Sequence, residues 1–187
     1  KLLDSTENFY KYEYVVADLL SDTINRTKFS KLLHWAKENL WISKEQENFY
    51  DNALSFYKDK TLLRIEKFLD KHNLLDEVNY INGIEVPKIK DLITQIKFEE
   101  IVGKGPTGFH GDFILDNILI SESFTLIDWR QDFNGIIESG DMNYDLAKLN
   151  HNLVLNHDML YHNYFEIDFS ENITCDVYAK KSLIDCK

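Results

Sequence analysis

The sequence predicts an α+β fold, mostly helical with short β-hairpins, and three observations carry that reading. Apolar residues recur at helical spacing over much of 27–71, and again over 88–98 and 143–154. Two short strand-like runs flank Asn82-Gly83, a dipeptide that accepts the positive φ required at both positions of a tight hairpin turn. A second pair of short apolar runs, 118–120 and 124–127, flanks Ser121-Glu122-Ser123. At 187 residues and 44% hydrophobic, the chain is long enough for one core and too apolar to stay disordered.

Residues 1–20 read as strand-like, with Tyr10, Tyr12 and Tyr14 alternating before Val15-Val16. Thr27 or Ser30 is expected to cap a first helix whose Phe29, Leu32, Leu33, Ala36 and Leu40 fall on one face. Ser43-Lys44-Glu45-Gln46 fits a capping box, with Ser43 as cap and Gln46 reaching back. It predicts a long helix running to about Lys71. Phe49, Leu54, Phe56, Tyr57, Leu62, Ile65, Phe68 and Leu69 make its buried stripe, and Lys58, Asp59, Lys60, Arg64, Glu66 and Lys67 a solvated face. The hairpin 78–81/84–86 ends at Pro87, and Ile89, Leu92, Ile93 and Ile96 predict a helix over 88–98. Gly103-Lys104-Gly105-Pro106 has the composition of a phosphate loop but no helix follows it, so it reads as a turn. Asp141 or Asn143 caps a helix carrying Leu146, Leu149, Leu153 and Val154, and the tail over 164–169 alternates as an edge strand.

The chemistry concentrates between these elements. His110-Gly111-Asp112-Phe113-Ile114-Leu115-Asp116-Asn117 is followed by Leu126-Ile127-Asp128-Trp129. Phosphoryl transfer needs a carboxylate to orient an attacking hydroxyl, and an amide oxygen and second carboxylate to hold magnesium. Asp112, Asn117 and Asp128 supply those groups in that order. The apolar residues after Asp112 anchor a loop, and the hairpin after Asn117 brings its two outer ends together. Asn117 and Asp128 thereby become neighbours able to share one Mg²⁺, an ion that prefers oxygen ligands. His110 is expected to be a packed, hydrogen-bonded histidine. His151 and His157 are six residues apart, which is not one helix face, so they make no metal site.

A net charge of −11 and a sequence pI near 4.9 oppose nucleic-acid binding, which needs clustered Lys and Arg. They are compatible with a small cationic substrate. Cys175 and Cys186 have no metal-ligand spacing and are expected as free thiols in a reducing cytoplasm. No apolar run is long enough for membrane insertion as a spanning helix.

His110-Gly111-Asp112 with Asn117, then Ile127-Asp128-Trp129, then Gly140-Asp141-Met142-Asn143-Tyr144-Asp145-Leu146-Ala147 resemble the motifs of the aminoglycoside phosphotransferase and choline kinase superfamily. Its members share the protein-kinase-like fold. The resemblance implies a catalytic base at Asp112, metal ligands at Asn117 and Asp128, and a structural part for Asp145, which would brace the catalytic loop through backbone N–H groups. Met142 stands where the family's signature has proline, which would only stiffen the start of a helix. In such a fold the segment after Asp128 lines the cleft, so Arg130 can meet an anionic group and Asp132 a cation or hydroxyl. Tyr12-Glu13-Tyr14-Val15-Val16 and Leu19-Leu20-Ser21-Asp22 look like the last N-lobe strand and the hinge. This divides the chain into 1–20, the end of the N-lobe, and 21–187, the C-lobe.

The family's glycine-rich loop and strand lysine have no counterpart before residue 12, and the chain opens on Lys1. The reading is therefore a C-terminal fragment continuous with an N-terminal lobe and inactive in isolation. The implied activity is an ATP- and Mg²⁺-dependent phosphotransfer to a small-molecule hydroxyl, of an amino alcohol or a sugar. The texture of the chain also resembles choline-kinase-like domains of bacterial capsule and surface-glycan biosynthesis proteins. The competing expectation is a kinase-like nucleotide-binding or regulatory module without turnover.

Overall fold

The computed structural model describes residues 2–72, 76–169 and 173–187. It is an α+β structure in which small antiparallel sheets sit among helices. β1 (Leu2–Ser5) and β2 (Tyr10–Tyr12) form a hairpin. The strand expected over 12–16 stops at Tyr12. β3 (Asp18–Leu19) and α1 (Leu20–Thr23) occupy the stretch read as a hinge. β3 adds to the edge of a later hairpin, pairing Asp18 with Ile120 and Leu19 with Leu119.

α2 (Arg26–Asn39) is capped by neither Thr27 nor Ser30. Asn25 is the cap, its side-chain oxygen accepting from the Lys28 N–H at 3.0 Å. Asn is among the best N-cap residues, and the helix simply starts one residue before Thr27. The capping box at Ser43 is not formed either. Residues 42–44 run beside 106–108, with Gly108 N–H donating to the Ile42 carbonyl and Lys44 N–H to that of Pro106. Gln46 accepts from the Ser139 hydroxyl instead of reaching back. α3 (Phe49–His72) therefore begins only after Asn48. Phe49, Ala53 and Phe56 are buried, whereas Leu62 and Phe68 of the expected stripe are exposed. Phe68 meets the ring of His72 of its own helix at a tilt, with centroids 4.8 Å apart.

β4 (Asn79–Ile81) and β5 (Ile84–Val86) make the expected hairpin, with Asn82 at φ 52° and Gly83 at φ 74°. The helix expected over 88–98 is α4 (Ile89–Thr94), which ends four residues early, and a separate α5 (Phe98–Ile101) starts where the expected one would stop. Gln95 and Ile96 donate to carbonyls three residues back, which tightens and ends α4. The Asp76 carboxylate caps α4 from outside, accepting from Ile89 and Lys90. A 3₁₀ turn (Leu115–Asn117) leads into β6 (Ile118–Ile120) and β7 (Phe124–Leu126), paired in register Ile118↔Leu126. α6 (Met142–Val154), capped by Asp141, α7 (His157–Tyr161), the hairpin β8 (Phe165–Asp168)/β9 (Thr174–Val177) and α8 (Lys181–Ile184) complete the chain.

Two apolar clusters position the site. One joins α1, α2, α6 and α8 through Leu20, Leu32, Ala36, Leu149 and Leu183 and takes in Phe113, Leu115 and Ile118. The other joins Phe49, Ala53 and Phe56 of α3 to Phe109 and Phe133. The segment 109–118 is thus nailed into one cluster at its start and into the other along its length. Fully burying a side chain such as Phe113 is worth about 1.5–3 kcal/mol, so the loop between these anchors is held firmly. No helix among the described residues is long and apolar enough to cross a membrane.

Candidate functional site

Asp112 sits at the centre of the site, half-buried, and its two carboxylate oxygens face different groups. Oδ2 accepts from Asn117 Nδ2 at 3.1 Å, and the same nitrogen donates to the Asp112 carbonyl at 3.0 Å. Oδ1 pairs with Lys148 Nζ at 2.7 Å. Because Nδ2 of Asn117 is committed to Asp112, its amide oxygen is the atom left to act as a ligand.

The hairpin places Asp128 beside this pair. Ile127 N–H donates to the Asn117 carbonyl at 3.0 Å, extending the β6–β7 ladder by one step. Asp128 follows directly, with φ at 57° in the left-handed region. This conformation is uncommon outside Gly, Asn and Asp and turns the chain out of the strand direction. The Asp128 side chain is exposed.

His110 locks the loop to the hairpin. Its ring is fully buried, and Nδ1 accepts from Asp112 N–H at 3.2 Å. The proton therefore resides on Nε2, which donates to the Ile127 carbonyl at 2.9 Å. Burial depresses the His110 pKa, while the Ile127 carbonyl and the charges of Asp112 and Asp128 pull the other way. A neutral imidazole with both nitrogens committed is a positioning group. Trp129 covers it, with ring centroids 4.8 Å apart.

Asp145 fastens the loop from behind. Its carboxylate is wholly buried and accepts from His110 N–H (2.8 Å), Gly111 N–H (2.7 Å) and Trp41 Nε1 (3.0 Å). Burial pushes its pKa from 3.8 up to about 6, against the pull of these three donors. Gly111 has φ 82°, and a Cβ there would lie 2.4 Å from Arg130 Cβ and 2.9 Å from the Phe109 ring. Both the backbone conformation and the close approach of Arg130 demand glycine.

Arg130 and Asp132 are less available than their spacing suggests. Arg130 Nε donates to the Asp132 carbonyl at 2.7 Å, and Nη1 reaches the Tyr144 hydroxyl at 3.4 Å. Its guanidinium lies over the Phe56 ring at 5.3 Å and the Tyr144 ring at 5.8 Å. The Asp132 carboxylate closes a turn by accepting from Gly135 N–H at 2.7 Å. The two side chains do not form an ion pair with one another; the guanidinium is bound through the backbone oxygen instead.

Sequence reasoning missed what α6 does as a whole. Asp141, Asp145, Lys148 and Asn152 recur at intervals of four, three and four, the spacing of one helix face. Asp141 accepts from Gly103 N–H (2.8 Å) and the Tyr57 hydroxyl (2.9 Å). Asp145 holds residues 110 and 111, Lys148 pairs with Asp112, and Asn152 accepts from Leu115 N–H at 3.0 Å. The face that would ordinarily be apolar is a polar ladder running along the loop. The signal was present in the sequence: four polar residues in the register of a buried stripe.

Among the described residues no three His, Cys, Asp or Glu side chains group as a metal site. The candidate cation set is an amide oxygen with single carboxylates, a hard-oxygen set whose chemistry suits Mg²⁺ completed by water and phosphate oxygens. His157 lies 3.8 Å from Asp116, His151 is exposed, and both cysteines are free. Compared with protein-family models, with curated proteins and with solved structures, the chain has no match.

Proposed function

We propose that this protein is an ATP- and Mg²⁺-dependent phosphotransferase acting on the hydroxyl of a small molecule, with residues 21–187 as the C-lobe of a protein-kinase-like fold and 1–20 as the end of its N-lobe. One observation carries the reading. Asp112 is bound to Asn117 at one foot of a hairpin, and Asp128 stands at the other foot, one residue past a direct backbone bond to Asn117.

In this reading Asp112 orients the acceptor hydroxyl and takes its proton, while the Asn117 amide oxygen and the Asp128 carboxylate hold Mg²⁺. The ion supplies charge neutralisation on the transferring phosphoryl group. The chain's own contribution is position. His110 and Asp145 keep Asp112 at a fixed place and angle, which is where most of the acceleration of such a reaction resides.

Lys148 favours the second reading, a nucleotide-binding module without turnover, because its ammonium sits on Oδ1 of Asp112, the oxygen opposite Asn117. Phosphotransfer then requires the acceptor hydroxyl to share or displace that contact. Mg²⁺-dependent transfer of the γ-phosphate of ATP by the full-length protein separates the two. Asp112→Asn is expected to lower kcat by about 10²–10⁴ while sparing nucleotide binding, and Asp128→Asn to abolish Mg²⁺-dependent binding. Undiminished turnover in Asp112→Asn refutes the catalytic assignment. Binding without turnover in the parent protein selects the module.

A further inference from the structure

Basic side chains gather on one side of Asp112. The protein carries a net charge of −11, yet four cations approach one another beside the candidate base. Lys148 is on Oδ1 of Asp112. One turn before it on α6, Tyr144 accepts from Arg130. Arg130 and Lys60 lie over the same Phe56 ring, at 5.3 and 4.3 Å from its centroid. Arg64 stands one turn beyond Lys60 on α3. Among the described residues Lys60, Arg64 and Arg130 make no ion pair with a carboxylate. Burial first, then the positive charges of Arg130 and Arg64, lower the Lys60 pKa; Asp132 opposes them and Lys148 adds to them. Bringing like charges together over aromatic faces costs stability unless an anion offsets it.

The two oxygens of Asp112 decide which anion. Oδ2 faces Asn117, the candidate cation ligand, whereas Oδ1 faces Lys148, one turn of α6 beyond the Tyr144 that Arg130 touches. The cluster therefore borders the acceptor side of the candidate base rather than the metal side. Resting on the phosphotransferase reading above, we infer that the acceptor is anionic, a small hydroxyl compound that also carries a phosphate or carboxylate, held by Lys60, Arg64, Arg130 and Lys148. The acidity of the chain as a whole is compatible instead with a small cationic substrate.

Titration calorimetry on the full-length protein tests this with glycerol 3-phosphate, inorganic phosphate, glycerol and choline, each with and without Mg²⁺-ATP. Glycerol 3-phosphate is expected to bind together with Mg²⁺-ATP, and glycerol and choline to bind far more weakly. Lys60→Gln and Arg64→Gln should each weaken glycerol 3-phosphate by about tenfold through loss of one charge-assisted contact. Both lie on the solvated half of α3, and circular dichroism checks that the helix persists. Failure of both phosphate probes to bind, equal binding of choline, or insensitivity to both substitutions overturns the inference. Competition between glycerol 3-phosphate and Mg²⁺-ATP also overturns it, because the cations would then be holding the nucleotide. Mg²⁺-ATP binding that depends on Asp128 in any of those cases leaves the phosphotransferase reading standing. Glycerol 3-phosphate binding that depends on Lys60, with no Mg²⁺-nucleotide binding, supports an anion site and sinks the phosphotransferase.

Discussion

Asp145 offers the sharpest test of how the loop is held, because two substitutions there remove different things. In Asp145→Ala three buried N–H donors, from His110, Gly111 and Trp41, lose their acceptor at once. Each orphaned donor costs about 1–3 kcal/mol. Relief of the buried charge returns roughly 3 kcal/mol at neutral pH, because burial pushes this carboxyl from 3.8 up to about 6. The net loss is about 0–6 kcal/mol, centred near 3 kcal/mol and so a substantial part of a domain's usual 5–15 kcal/mol. Asp145→Asn keeps the shape. Its amide oxygen can occupy the Oδ2 position, facing two donors, which leaves only the Gly111 N–H opposed by another N–H. One lost bond against removal of the charge makes this variant nearly neutral in global stability at pH 7. The variants also differ in their response to pH. The folded carboxyl takes up its proton near pH 6 and the unfolded one near 3.8. The folded state therefore binds the extra proton in this window. The protein gains stability from this group as pH falls from about 7 to 4, and loses it again as pH rises through 6. The asparagine variant lacks that term. Urea melts at pH 7 and pH 4 should show the parent gaining about 2 kcal/mol on Asp145→Asn across the window. Hydrogen exchange should show Gly111 losing protection first in the asparagine variant. A parent-to-asparagine difference that does not change with pH, or an alanine variant as stable as the asparagine one, would refute the reasoning.

Gly111→Ala should destabilise the protein by about 2–4 kcal/mol, from a left-handed backbone that disfavours a side chain and from collision with Arg130. Thermal unfolding checks this, and an unchanged Tm would mean that Arg130 moves aside freely. Tyr57→Phe removes the hydroxyl that donates to the buried Asp141 and should cost about 1–2 kcal/mol in a denaturant melt. Burial, followed by the Asp141 charge, raises the Tyr57 pKa, so the hydroxyl stays protonated and alkaline titration of tyrosine absorbance should show one fewer group in the parent than in unfolded protein.

The elements that were legible in the sequence share a property: their signal is local. Asn82-Gly83 specifies its hairpin through the φ values of two adjacent residues, and the β6–β7 register follows from two short runs and a turn. The proximity of Asn117 to Asp128 followed from that hairpin alone. What could not be read depends on distant partners. The Ser43 capping box was overruled because 42–46 pairs with 106–108 and Ser139, some 60 to 90 residues away in sequence. α4 takes its cap from Asp76, thirteen residues before Ile89. The half of α3 beyond Phe56 has the apolar spacing of a buried helix but outruns the elements that would cover Leu62 and Phe68. Asn25 has the side chain of a good cap and stands directly before the helix, whereas Thr27 and Ser30 fall inside it. In the site, Arg130 and Asp132 read in sequence as groups open to a substrate. Only tertiary packing reveals that the guanidinium is spread over Phe56 and Tyr144 and that the carboxylate closes its own turn.

The inner face of α6 serves the loop's shape more than the chain's stability. A helix of this length would ordinarily fill that face with aliphatic side chains, each worth about 1.5–3 kcal/mol when buried. Here Asp141, Asp145 and Asn152 occupy buried positions on it, and Lys148 lies between them. Their hydrogen bonds net about 1–3 kcal/mol apiece, and the Asp145 charge is itself opposed by burial. An apolar face would be the more stable choice for a loop free to adopt regular structure. The loop from His110 to Asn117 is not regular. It carries a positive φ at Gly111 and exposes N–H groups at 110, 111 and 115 that no strand or helix satisfies. Polar residues at helical intervals are the means of satisfying them in that shape. The one member of the ladder that holds no backbone group is Lys148, and it addresses Asp112, the side chain this whole arrangement fixes in place.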